Sequence, residues 1–351
     1  MTVVIGRAGD DPGEGPVAEL GTYRAVDGSD GAGLALDLDG PHAVLVVGKR
    51  GSGKTYTLGV FAEELGLTRG LAPVVVDPMG AFARLDSGAH AENVPATVVG
   101  APAVPPSALD PRSWCGLLGL SPESGAGSLV WQAAAAADTL AGMSDHVWDA
   151  DAPIADARAA ANHLALASSW GVFDPGGLAA ADLATGAVTV LDVSGLAPAP
   201  TNALVRAVGE ALYRGRVAGS IDRFPWLLVD EAHTFFDGVA AAALGRILAR
   251  GRAPGVSLVL ATQRPSAAPT IAASQSDVLF CHRLTSRADR EALRDARPAV
   301  DAALGERMPE APGEVLVLDD ATESVHAARI RQRHTPHAGG SPSVAAALDH
   351  W

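Results

Sequence analysis

Short, mostly apolar runs recur along this chain, each bounded by Gly, Pro, Asp or Ser, with stretches of helical spacing between several of them. Residues 43–47, 71–77, 94–99, 188–193, 226–230, 256–261, 278–280 and 315–318 read as strands, because aliphatic and β-branched side chains follow one another with few polar interruptions. Such runs suit strands covered on both faces. Residues 56–65, 202–217 and 240–250 carry helical patterns between them. Alternating strand and helix predicts an α/β fold with a mainly parallel central sheet. The pattern changes from about 110 to 185, where 128–143 and 154–170 show alanine-rich helical spacing and no strand intervenes. The expected organisation is a short N-terminal lead-in over 1–40, an α/β core over 41–109 and 187–333, a helical insertion over 110–186 and a flexible tail over 334–351. The lead-in is rich in Gly, Asp and Pro, with a few short apolar runs, and is expected to hold a small hairpin or an extended lead-in.

Chemistry enters where the first core strand ends. Gly48-Lys49-Arg50-Gly51-Ser52-Gly53-Lys54-Thr55 fits the phosphate-binding pattern G-x-x-x-x-G-K-[ST], with the strand before it and a helix after it. Glycines let the backbone wrap phosphates with its N–H groups pointing inward, and the helix N-terminus adds a favourable dipole. Gly48, Arg50, Gly51, Ser52, Gly53, Lys54, Thr55 and Tyr56 are the candidate nucleotide-binding residues. Lys54 can reach the β- and γ-phosphates, and the Thr55 hydroxyl can ligate Mg²⁺.

Leu227-Leu228-Val229-Asp230-Glu231-Ala232-His233 is an apolar strand ending in two acids, the Walker B pattern. Asp230 is placed to hold Mg²⁺ through its water shell, and Glu231 to orient and polarise an attacking water. Adjacent Asp and Glu favour hydrolysis of ATP by water over a small-molecule kinase. Ala261-Thr262-Gln263-Arg264-Pro265-Ser266 ends the next expected strand, and Gln263 there could sense the γ-phosphate. Arg250 and Arg252 precede that strand. Either answers a helix dipole or stabilises transition-state charge in a neighbouring subunit.

Net charge is −14, which argues against a generally basic nucleic-acid binder. The balance is uneven: residues 1–240 carry 13 basic and 28 acidic groups, residues 241–351 carry 13 and 12. Polyanion contact is therefore expected in the C-terminal third. There Arg287, Arg290, Arg294 and Arg297 recur at helical spacing, either lining a DNA channel or forming a solvated face paired with Asp289, Glu291 and Asp295. Cys115 and Cys281 form no C-x-x-C pair, which fits a reducing cytoplasm and offers no zinc site. No signal peptide or membrane-spanning run is visible, and no N-K-x-D motif suggests guanine recognition.

Taken together, the P-loop through Leu58, Val76-Asp77-Pro78-Met79-Gly80, Val229-Asp230-Glu231-Ala232-His233, Arg250-Gly251-Arg252 and Ala261-Thr262-Gln263-Arg264-Pro265-Ser266 resemble the HerA/FtsK superfamily, most closely its HerA branch of hexameric DNA-pumping ATPases. Arg331 to Pro342 also resembles the C-terminal tail of HerA-like proteins. The resemblance implies a RecA-like P-loop NTPase using ATP and Mg²⁺, a homo-oligomer expected to be a hexamer, DNA as partner and, in some relatives, a nuclease. It implies that Lys54 and Thr55 bind phosphate and Mg²⁺, that Asp230 and Glu231 form Walker B and that Gln263 is the sensor. Arg252, with Arg250 as second choice, would be the finger acting in trans. Asp77 would either support metal or water, or serve the turn before Pro78. HerA proteins usually carry an N-terminal β-barrel that helps assemble the ring, whereas some 40 residues precede the P-loop strand here. Two other readings stand beside the DNA motor: an ATPase of a conjugation or secretion-type system, and a nucleotide-switched adaptor.

Overall fold

The computed structural model describes residues 1–7, 15–25, 27–86 and 94–337, apart from the side chain of Asp301. The strands are β1 (Thr2–Ile5), β2 (Val17–Arg24), β3 (Asp30–Asp37), β4 (Ala43–Val47), β5 (Leu71–Asp77), β6 (Ala96–Val99), β7 (Val188–Asp192), β8 (Phe224–Val229), β9 (Ser257–Thr262), β10 (Val278–Cys281), β11 (Glu314–Asp319) and β12 (Ser324–Ile330). They form one sheet of 12 strands in the order β1-β3-β2-β12-β11-β10-β4-β9-β8-β5-β7-β6. From β10 to β6 every neighbouring pair is parallel, whereas the pairs linking β10, β11, β12, β2 and β3 in turn are antiparallel.

The helices are α1 (Lys54–Leu67), α2 (Pro111–Leu117), α3 (Gly125–Ala136), α4 (Leu140–Asp149), α5 (Ile154–Ser169), α6 (Ala180–Leu183), α7 (Pro198–Val217), α8 (Ala241–Arg250), α9 (Thr270–Ser274), α10 (Arg287–Ala296) and α11 (Pro298–Arg307). The sheet separates two apolar cores, and the period-2 alternation of each strand feeds both. Leu45, Val47, Val74, Val76, Leu227, Val229, Leu258 and Leu260 enter the core shared with α7, α8 and the insertion helices. Val44, Val46, Val75, Leu228 and Val259 enter the other, against Leu58, Phe61 and Leu65 of α1. This double burial explains why the strands read as unbroken apolar runs.

Three expectations need correction. The stretch 128–143 is not one helix: α3 ends at Ala136, and Thr139 caps a separate α4, its Oγ1 accepting the Gly142 N–H at 3.0 Å. The N-terminal stretch is more than a hairpin, because β1, β2 and β3 extend the same sheet, with β2 paired to β12 some 300 residues later (Ala328↔Tyr23). These strands carry Gly and polar residues at half-exposed positions, so their pattern is weak until a distant strand pairs with them. The part of the expected tail from 338 to 351 lies outside the described residues, but 334–337 is packed on α1: the buried Glu63 carboxylate accepts N–H groups from His334 (3.1 Å) and Thr335 (2.9 Å).

The insertion is tied to the core by buried charge. Arg206 of α7 donates to Asp110 (2.8 Å) and to the Ser113 hydroxyl (3.2 Å) at the start of α2, and pairs with Glu210, which also accepts from Arg246 of α8 at 2.8 Å. The pairing with Arg206 and the N–H of Ser113 outweigh burial and hold the Asp110 carboxyl down at about 2. Trp114 is buried in this core, whereas Trp131 and Trp148 are exposed. No helix among the described residues is long and apolar enough to cross a membrane.

Candidate nucleotide site

The cradle forms where β4 leaves the sheet. Gly51 (φ 75°) and Gly53 (φ 110°) adopt left-handed backbone that a side chain would strain, and this turns the chain into α1. The Lys49 carbonyl gathers the loop by accepting from the Ser52 N–H (3.2 Å), the Ser52 hydroxyl (2.8 Å) and the Lys54 ammonium (3.2 Å). Lys54 is buried; desolvation lowers its pKa, while Glu231 and Asp230 oppose the shift. Lys49 and Arg50 are exposed at the loop tip.

Strand order completes the site. β9 lies between β4 and β8, with Val47 opposite Thr262 and Val229 opposite Leu260, so the loops carrying Gln263 and Asp230–Glu231 emerge beside the P-loop. Thr55 donates its hydroxyl to Asp230 Oδ2 at 2.7 Å. Burial raises the Asp230 and Glu231 pKa values, and Lys54 opposes it at both; Arg50 and Arg264 also oppose it at Glu231. Glu231 is one of two non-glycine residues with positive φ among the described residues (φ 47°), and its Oε2 is buried without a hydrogen bond. A cleft of about 640 Å³ is lined by Lys49, Arg50, Met79, Glu231, His233, Gln263 and Arg264, among others. A hydroxyl touching a carboxylate, with a second acid adjacent, is a donor set that suits Mg²⁺ completed by water and phosphate oxygens.

Not every candidate joins this cleft. Tyr56 turns toward the C-terminal segment: its hydroxyl accepts the Arg333 N–H at 2.6 Å and its ring meets His337 edge-on at 5.6 Å. Asp77 serves the turn, since its carboxylate takes the N–H groups of Met79 (3.1 Å), Ala81 (3.0 Å) and Phe82 (2.8 Å). Arg252 sits along the edge formed by the N-terminal ends of the strands, before β9 and opposite the cleft, 80% exposed and 3.6 Å from Asp277. The length of β9, about 17–20 Å, separates it from its own chain's cradle. Arg250, the last residue of α8, is likewise exposed at that edge. The arginine stripe is divided. Arg287 pairs with Glu291 at 2.8 Å, whereas Arg297 is packed inward against the carbonyls of Ala273, Ser274 and Ser276.

One contributor escapes sequence reasoning. His282, at the end of β10, is fully buried beneath the P-loop, bonds the Thr57 hydroxyl through Nε2 at 2.9 Å and is held neutral, its pKa driven to about 3 by burial and then by Lys54. A Cβ on Gly48 would fall 2.6 Å from its Cβ, so the loop needs glycine there to lie on it.

A strand standing between the P-loop strand and the acid-bearing strand, with all three ending at one cleft, is the RecA-like P-loop ATPase arrangement. Residues 20–170 match the family model described as "Helicase HerA, central domain". The chain has a RecA-like P-loop fold, and its likeness to HerA rests on that central-domain match. Its fold is similar to VirB4 of Thermoanaerobacter pseudethanolicus, at 15% identity over 93% of this chain and 98% of that one, with a TM-score of 0.68. It is also similar to the bacterial conjugative coupling protein TrwB in its sulphate-bound form, at 15% identity over 93% and 99%, with a TM-score of 0.59. No curated protein matches the sequence.

Proposed function

We propose that this chain couples Mg²⁺-dependent ATP hydrolysis to DNA translocation or processing, as a HerA-like hexameric ring motor in the cytoplasm. The observation that carries this reading is the 2.7 Å contact between Thr55 and Asp230, with Glu231 next to it and Gln263 on the adjoining strand. The P-loop N–H groups and Lys54 bind and orient the β- and γ-phosphates. Thr55 and Asp230 would hold Mg²⁺, Asp230 through water, and the ion would supply positive charge to offset the phosphate oxygens. Glu231 holds the attacking water and takes its proton. Gln263 contacts the γ-phosphate and reports its loss. Arg252, directed away from its own cradle, serves a neighbour's site, with Arg250 as the alternative. The core over 41–109 and 187–333 does this chemistry, and the insertion over 110–186 is a separate helical unit. The match to a helicase central domain supports DNA as the partner.

Glu231→Gln is expected to keep ATP binding and stop turnover. Double-stranded DNA is expected to stimulate ATPase activity several-fold at low salt. Indifference to DNA would remove the motor reading and favour the adaptor. Mixing Arg252→Ala with Lys54→Ala subunits is expected to restore part of the activity that each lacks alone. The likeness to VirB4 and TrwB favours, as second reading, an ATPase of a conjugation or secretion-type system. A nuclease partner would separate the two, because pulldown of a nuclease supports the processing role.

A further inference from the structure

We propose that His233 is the positioning residue for Glu231 and the link between that acid and the Gln263 turn. The inference rests on the reading of Glu231 as the water-orienting group. Three observations converge on the histidine. Glu231 Oε2 is buried and lacks a hydrogen bond; the polar side-chain atom that approaches it is His233 Nδ1, at 3.4 Å. The same Nδ1 lies 3.4 Å from the Thr262 hydroxyl, which accepts the Arg264 N–H at 3.1 Å and so anchors the turn that carries Gln263. The Glu231 backbone is held left-handed (φ 47°, ψ 41°) by its N–H to Asp230 Oδ1 (2.9 Å) and by a short 3₁₀ turn, Ala232–Phe235, that brings His233 back beneath the carboxylate. A non-glycine residue in that conformation costs roughly 1–3 kcal/mol and persists only where its surroundings hold it.

The two contacts compete. With its proton on Nδ1, the ring donates to Glu231 Oε2 and orients the carboxylate. With that proton moved to Nε2 by exchange with solvent, the bare Nδ1 accepts from the Thr262 hydroxyl and releases the acid. Both contacts are 3.4 Å long, so a small rotation of the ring is enough to favour one over the other. A water held by Glu231 draws Nδ1–H toward the carboxylate. Loss of the γ-phosphate lets Nδ1 turn to Thr262, which couples the acid to the turn bearing Gln263 and Arg264.

The test uses the full chain and steady-state ATPase kinetics beside binding of a fluorescent ATP analogue. His233→Ala is expected to lower kcat about 10- to 100-fold, a fraction of what a general base contributes, with analogue affinity within about threefold of wild type. His233→Asn places an N–H donor near the position of Nδ1 and is expected to recover most of the loss. His233→Gln, whose amide falls near Nε2, is expected not to. In a Glu231→Gln background, His233→Ala is expected to add nothing. Turnover of His233→Ala within about threefold of wild type, while Glu231→Gln is inactive, overturns the proposal. So does equal recovery by Asn and Gln, or parallel loss of binding and turnover, either of which marks a packing role. Continued turnover by Glu231→Gln itself would instead remove the reading of Glu231 on which the proposal stands.

Discussion

Glu63 gives the most quantitative test of how the P-loop helix is held. It lies in α1 with 0% exposure and accepts from Arg331 Nη1 (2.8 Å), the His334 N–H (3.1 Å), the Thr335 N–H (2.9 Å) and the Thr335 hydroxyl (2.6 Å). Arg333 Nε lies 3.5 Å away, its side chain 1% exposed. The guanidinium rests on Gly59, where a Cβ would sit 2.6 Å from it. Glu63→Ala leaves the buried Arg333 guanidinium and four donors without their acceptor. Breaking a buried pair in this way costs about 3–5 kcal/mol, or roughly 6–10 °C in Tm at about 2 °C per kcal/mol. Urea unfolding followed by circular dichroism measures it. Adding Arg333→Met to Glu63→Leu is expected to recover part of the loss, because the buried guanidinium is gone while the N–H groups of His334 and Thr335 still lack their acceptor. The pH dependence has a definite sign. Burial raises the Glu63 pKa, but hydrogen bonds from Thr335, His334 and Arg331 outweigh it and hold the folded value below the ordinary one. The contribution is therefore complete above the unfolded pKa and is lost as pH falls through the folded one, so the gap between wild type and Glu63→Ala narrows in acid. A loss under about 1 kcal/mol at neutral pH, or a double variant no better than the single one, would refute the reasoning.

Other outcomes are equally specific. The Cys281 thiol is pushed up to about 12 by complete burial and Cys115 is raised by the same cause, so a disulfide thiol reagent at pH 8 should label neither in the native protein and both in guanidinium. Rapid native labelling would contradict the packing. Arg297→Ala, which removes bonds to three carbonyls and to Asp320 (2.8 Å), should cost about 2–3 kcal/mol, whereas Arg287→Ala, 91% exposed, should change the urea midpoint negligibly. Equal effects would restore a uniform surface stripe. Asp77→Ala removes the acceptor of three N–H groups and should destabilise the protein by about 1–3 kcal/mol while leaving nucleotide hydrolysis measurable. Loss of hydrolysis without loss of stability would return Asp77 to the metal site.

Local chemistry was legible from the chain alone. The P-loop announces itself because its glycines, Lys54 and Thr55 must be contiguous, and Asp230–Glu231 because a buried strand can carry two adjacent acids only at its end. The core strands were visible because burial on both faces leaves no polar alternation. The N-terminal strands were not, since β2 and β3 carry half-exposed, Gly-containing patterns whose stability comes from β12. Gln263 could be named from its place at a strand end, but its nearness to the cradle could not be derived, because nothing in the linear order says that β9 lies between β4 and β8.

The amino-acid sequence by itself determined the local patterns: a glycine-rich P-loop, a strand ending in two acids, and an α/β alternation to carry them. Tertiary structure alone decided which groups share a site. Strand order brought Thr55 to Asp230 and Gln263 beside both, and sent Arg252 to the far edge. It buried His282 beneath the loop and bound Glu63 to a segment some 270 residues away. The physical reason is that propensity and motif act within a few residues, whereas burial, pairing and charge compensation are settled only when distant strands meet.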